Sequence, residues 1–179
     1  LFMRFYEFDR GQILIDGHDI RDYSQEALRK AIGLVLQEPF LYHGTIASNI
    51  RMYHEELTDK DIQEAAEFVD VADFIESLPD GYDHPVTERG STLSTGQRQL
   101  LTFARTIAAQ PKILILDEAT ANIDQETEEL IQNSLKKMRQ GRTTIAIAHR
   151  LSTIQDATRI YVLEKGRIIE AGNHEELIA

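Results

Sequence analysis

Four consecutive apolar residues, Ile113, Leu114, Ile115 and Leu116, run directly into Asp117 and Glu118. A half-exposed strand would alternate apolar and polar positions, so this unbroken run predicts a strand buried on both faces of a parallel sheet. Two further runs have the same character: residues 33–36, ending at Gln37, and residues 143–148, ending at His149. If the three strands are parallel, Gln37, Asp117, Glu118 and His149 meet at the carboxyl edge, where open α/β sheets bind ligands. Taken alone, the acid pair reads equally well as a solvated loop after a core strand.

Helical spacing marks the segments between these runs. Leu100, Leu101, Ala104, Ile107 and Ala108 share one face of a helix predicted over residues 98–110, and Ser94 and Gln97 stand at capping-box spacing before it. Ser24 caps a short helix over residues 24–30. Thr58 caps another, over 59–69, with Ile62, Ala65, Ala66 and Val69 on one side. A helix over 71–78 stops at Pro79, Asp80 and Gly81. Residues 11–16 and 18–20 predict a hairpin about Asp16-Gly17, and residues 160–163 and 167–169 a second about Lys165-Gly166. Residues 1–8 read as the end of a helix entered midway, residues 152–157 as helical, and a last helix starts at Asn173. The chain therefore divides into a core of residues 1–37 and 91–179 and a mainly helical insertion over 38–90, with no repeat or low-complexity segment.

Composition narrows the function classes. The chain has 179 residues, enough for one domain with a sizeable core. Thirty acids against 19 Lys plus Arg give a net charge of −11, the wrong sign for a protein that grips a phosphate backbone, so no nucleic-acid partner is expected. Cysteine is absent, which excludes disulfides and thiolate metal sites. No apolar run approaches the roughly 18 residues of a membrane span, and no secretory leader pattern is present. Membrane association is expected to come from another segment or chain.

Gln37, then Leu93-Ser94-Thr95-Gly96-Gln97, then Ile113 to Glu118, then Ala119 to Asp124, then His149 resemble, in order, the Q-loop, signature, Walker B, D-loop and H-loop of the nucleotide-binding domain of ABC transporters. Residues 44–50 and the run Thr87-Glu88-Arg89-Gly90 resemble the multidrug exporter branch. The resemblance implies an α/β fold: a P-loop NTPase (RecA-like) parallel sheet core with an inserted α-helical subdomain, its amino-terminal part missing. It implies an ATP-binding and hydrolysing motor that dimerises on ATP and drives efflux, with ATP and Mg2+ as cofactors. The implied partners are a transmembrane domain and a second nucleotide-binding domain, at the cytoplasmic face of the cell membrane. A soluble ABC-type ATPase of DNA repair or translation, or an inactive remnant or binding module, are the alternatives.

Residue by residue, the resemblance assigns Asp117 to the metal, since magnesium takes oxygen ligands and keeps several waters. Glu118 positions and polarises the attacking water. His149 contacts the γ-phosphate, and Gln37 touches the metal shell and reports occupancy to the helical insertion. Ser94, Thr95, Gly96 and Gln97 present helix N–H groups to a nucleotide held by the partner domain, although a plain capped helix has the same spacing. Asp124 lies at the dimer seam. Two departures stand out: Thr95 replaces the usual glycine, and the D-loop reads Ala121-Asn122-Ile123-Asp124. With Glu118 intact, they point to one half of a heterodimeric bacterial exporter with unequal sites. The phosphate-loop pattern G-x-x-x-x-G-K-[ST] occurs nowhere in the chain, so these residues are expected to start just after it and to be inactive alone.

Overall fold

A computed structural model describes residues 1–87, 90–117, 125–148 and 154–178. In chain order, β1 (Leu14–Ile15) and β2 (His18–Asp19) form a small antiparallel hairpin, followed by α1 (Gln25–Ala31) and β3 (Ile32–Val35). Next come β4 (Gly44–Thr45), α2 (Ile46–Arg51), α3 (Asp59–Phe68), α4 (Ala72–Ser77) and β5 (Pro85–Val86), which pairs with β4. The remaining elements are α5 (Thr95–Ala108), β6 (Ile113–Asp117), α6 (Gln125–Arg139), β7 (Thr143–Ile147), the hairpin β8 (Ile160–Glu164) and β9 (Arg167–Gly172), and α7 (His174–Ile178).

Strand β6 is the middle of a three-stranded sheet, parallel to β3 on one side and β7 on the other. The register pairs Val35 with Leu116 and Leu116 with Ala146. Parallel neighbours need long crossovers, which α2–α5 and α6 supply here. The two faces of the sheet feed different clusters. Val35, Leu114 and Leu116 join a large core with Ile46, Ile62, Leu101, Phe103 and Ile131, among others. Ile32 and Ile115 join a smaller one with Ile20 and Leu28, flanked by Met3, Phe8, Ile13 and Tyr23. A Cβ on Gly33 would come within 2.7 Å of Thr106 Cγ2 and 2.8 Å of Pro111 Cγ, so glycine lets α5 lie directly on β3.

Local signals set most boundaries. Ser24 caps α1, Thr58 caps α3 and Ser94 caps α5, each with its side chain accepting a backbone N–H of the first turn. Three expectations change. Residues 1–8 form turns rather than a helix: Arg4 has φ +50° and its N–H donates to Leu1 O at 2.8 Å. So short a stretch does not offset helix nucleation, and side chains tether it instead, Arg4 to Tyr23 O at 3.1 Å and Arg29 to Met3 O at 3.1 Å. Residues 154–157 make a single turn closed by Ala157 N–H to Ile154 O at 3.0 Å, while 152–153 lie outside the described residues. Strand β7 is half-buried to exposed along its length, with Ile147 52% exposed, so in this chain it is not the buried strand its apolar run suggests.

Candidate functional site

The site begins at the carboxyl edge of the sheet. Asp117 is the last residue of β6 and stands level with Ile147 of β7. Gln37 follows β3 by two positions, and β3 and β6 end level at the Val35–Leu116 pair. The register therefore brings Gln37 and Asp117 to one edge, as the parallel-strand argument requires. Glu118, Asp124 and His149 lie outside the described residues. A carboxylate and an amide oxygen on adjacent strands are a hard-oxygen donor set that suits magnesium, which needs one or two protein ligands and fills the rest with water.

Helix α5 runs back along this sheet. Its last turn lies on Gly33 at the start of β3, and the link 109–112 feeds directly into β6. Its capped start consequently lies toward the carboxyl edge. Ser94 Oγ accepts from Gln97 N–H at 3.1 Å, and Gln97 Oε1 accepts from Ser94 N–H at 2.9 Å. Those two residues thus satisfy each other, and the first-turn amides without an intrahelical acceptor are those of Thr95 and Gly96. Thr95 Oγ1 accepts from Arg98 Nη2 at 3.0 Å, so its hydroxyl is engaged within its own helix.

Two anchors that the sequence reading passed over hold α5 in place. Arg105 donates through Nε to Asn49 O at 2.7 Å, through Nη2 to Asn49 Oδ1 at 3.0 Å and through Nη1 to Phe40 O at 2.9 Å. Asn49 is buried and in turn accepts Tyr42 N–H at 2.8 Å and donates to Tyr42 O at 2.9 Å. The stretch that follows Gln37 is thereby clasped to α5 and α2. Burial pulls the Arg105 guanidinium below its ordinary range. The second anchor is α6, where Ile131, Leu135 and Met138 are buried and Ser134 Oγ donates to Val69 O at 2.9 Å. Leu130, Ile131, Ser134, Leu135 and Met138 recur at helical spacing, a signal available in the sequence. Asn49 and Arg105 carry a weaker one, as polar residues set among apolar neighbours.

A cavity of about 360 Å³ lies at the opposite, amino-terminal edge of the strands, bordered by Pro111, Lys112, Gly141, Arg142, Asp61 and Glu64. It contains none of the predicted site residues. Its Arg142 already donates to Pro111 O at 3.1 Å and Met138 O at 2.9 Å. No helix among the described residues is long and apolar enough to cross a membrane.

Comparison with known proteins matches residues 1–121 to the ABC transporter family model. A putative ABC transporter ATP-binding protein, exp8, of Streptococcus pneumoniae is 74% identical over all 179 residues, which make up 30% of that protein. A probable multidrug resistance ABC transporter ATP-binding/permease protein, YheH, of Bacillus subtilis is 52% identical over the whole chain and 27% of its own length. The structure of a bacterial Atm1-family ABC exporter with ATP bound superposes with a TM-score of 0.89 at 44% identity, covering 99% of this chain and 31% of that one. The chain thus spans about a third of the length of these relatives.

Proposed function

This chain belongs to the ABC transporter family, and we propose that it is the ATP-binding and ATP-hydrolysing part of a membrane exporter. In that reading it closes on ATP against a second, like domain and drives a transmembrane domain from the cytoplasmic face of the membrane. The observation that supports the reading is the parallel register of β3 and β6, which brings Gln37 and Asp117 to one edge of the sheet. The helices within 38–90 form the helical insertion, with Gln37 at its junction to the sheet.

The residues divide the work as phosphoryl transfer requires. Asp117 offers a carboxylate oxygen, and Gln37 an amide oxygen, to a magnesium ion directly or through water. Magnesium bound there would neutralise charge on the β- and γ-phosphates. Glu118, one residue beyond Asp117, orients and polarises the attacking water, and His149 hydrogen-bonds the γ-phosphate. The Thr95 and Gly96 amides, at the positive end of α5, address the nucleotide of the second domain. Asp124 lies at the seam between the domains.

Substituting Glu118→Gln in the full-length protein tests the assignment, because the amide keeps the shape and loses the charge that polarises water. The expected outcome is loss of at least a hundredfold in turnover with ATP binding retained. Steady-state hydrolysis at the wild-type rate would remove Glu118 from the role. We further propose a non-identical second domain, from Thr95 standing where the family carries glycine. If so, Thr95→Gly changes turnover little, because the site it faces lacks its own base. A several-fold gain in rate, or an active homodimer, would contradict the unequal-site reading.

A further inference from the structure

Gly96 has a structural demand on it that no phosphate creates. It is buried, and a Cβ placed on it would overlap Thr127 Cγ2 outright while lying 3.1 Å from Thr127 Cβ and 3.5 Å from Thr127 Oγ1. The overlap is centred on the γ-methyl, and a β-branched side chain in a helix has few χ1 wells into which that methyl can turn.

Thr127 cannot simply withdraw. It sits in the first turn of α6, whose later turns are fixed by the burial of Ile131, Leu135 and Met138. They are also held by the hydrogen bond from Ser134 to Val69 O and by the ion pair between Lys137 and Asp70. On the other side α5 is held by its packing on Gly33 and by the Arg105 clasp. Where the starts of these two braced helices meet, backbone lies against methyl, so the contact limits how closely the starts approach. The segment 118–124, which carries Glu118 and Asp124, leads into α6 just before that point.

We propose that Thr127 is a positioning residue: its γ-methyl seats the Gly96 backbone and so fixes the Thr95 and Gly96 amides relative to the first turn of α6, which follows Glu118 in the chain. The proposal rests on the reading that these amides address the nucleotide of the second domain. It links the two nucleotide sites by a steric gauge within one chain, and it makes glycine obligatory at 96 even without nucleotide.

The test is a double-mutant cycle in the full-length protein, read by melting temperature without nucleotide, by ATP binding and by ATPase rate. Gly96→Ala should lower the nucleotide-free melting temperature and cut the ATPase rate tenfold or more. Thr127→Ala alone removes the seat and should lower the rate several-fold, less than Gly96→Ala does, with ATP binding retained. Adding Thr127→Ala or Thr127→Ser to Gly96→Ala should restore the melting temperature and several-fold of the rate, whereas adding Thr127→Val, which keeps two γ carbons, should restore neither. ATP binding should change little throughout, so that the effect falls on turnover. A Gly96→Ala protein with an unchanged melting temperature would overturn the proposal, as would a double mutant rescued in stability but not in rate. Absence of ATPase in the wild-type protein would instead sink the underlying functional reading, while the melting-temperature cycle would still decide the contact.

Discussion

Against one face of the β3–β6–β7 sheet, Val35, Leu114 and Leu116 are no more than 3% exposed and belong to the core that includes α5 and α6. Against the other, Ile32 and Ile115 are buried in a smaller cluster, but Leu34 and Ile113 remain half-buried beside it, as do Met3, Phe8, Ile13, Ile15 and Tyr23. The first cover is made of two long helices, the second of turns and a hairpin with two residues per strand. Alternate residues of the same strands therefore sit in environments of different stiffness. Asp117 alternates with Ile113 and Ile115 toward the softer face, while α5, which carries the Thr95 and Gly96 amides, lies on the stiff side. A site needs such groups held to a fraction of an ångström.

The comparison breaks most sharply if adjacent residues of β6 prove equivalent. Leu114→Ala should cost about 4 kcal/mol, transfer plus an unrelaxed cavity, because close-packed helices cannot collapse into the gap. Ile113→Ala should cost about 2 kcal/mol, since the site is already partly solvated and its cover consists of short irregular segments. Urea unfolding read by hydrogen exchange at the β6 amides measures both. Equal losses would mean that the two faces are equally well packed.

The next effect concerns how the stiff side is pinned. Arg105→Met keeps most of the apolar stem but leaves Phe40 O and Asn49 O without their donor. Unsatisfied buried acceptors cost about 1–3 kcal/mol in total here, because water can reach the rim of the clasp. Amide exchange should quicken at Tyr42, whose N–H depends on Asn49 being held in place. It should stay unchanged at Ile20 in the small cluster. Faster exchange at both would show that the clasp stabilises the whole domain rather than this layer.

What was legible beforehand follows from range. Ser94 with Gln97, and Thr58 with its helix, are local chemistry and read directly. The runs ending at Gln37 and Asp117 read correctly because β3 and β6 are covered on both faces, and such a strand shows no alternation. Residues 143–148 look the same, yet whether another strand covers their far side is not written locally. Arg105 and Asn49 are 56 residues apart, so no spacing rule joins them. The contact of Gly96 with Thr127 is also long-range, which is why the glycine carried only a phosphate explanation. Residues 1–8 misled because they are apolar without period. The roles given to Glu118, Asp124 and His149 come from motif order, and their positions lie outside the described residues.

The smallest effect should come from the soft side and should depend on pH. Asp19, at the end of β2, accepts from Arg21 N–H at 2.9 Å, from Arg21 Nε at 2.9 Å and from Arg21 Nη2 at 2.7 Å. These bonds, the side-chain pair first, hold its carboxyl at about 2 instead of 3.8. The same guanidinium lies 4.8 Å from the Phe8 ring, so the pair also pins one of the residues covering this face. The folded state favours the ionised acid, so the contribution is complete above the unfolded value of 3.8 and is lost as pH falls toward about 2. The carboxylate is solvent-accessible, so salt screens the pair. Asp19→Asn should therefore remove part of the acid-side slope of stability between about pH 4 and pH 2 at low ionic strength, and the two proteins should converge below that window. Unfolding midpoints against pH in low and high salt measure this. Identical slopes at low salt would show that the Arg21 pair does not fasten the soft face, leaving packing by Phe8 and its neighbours as its only hold.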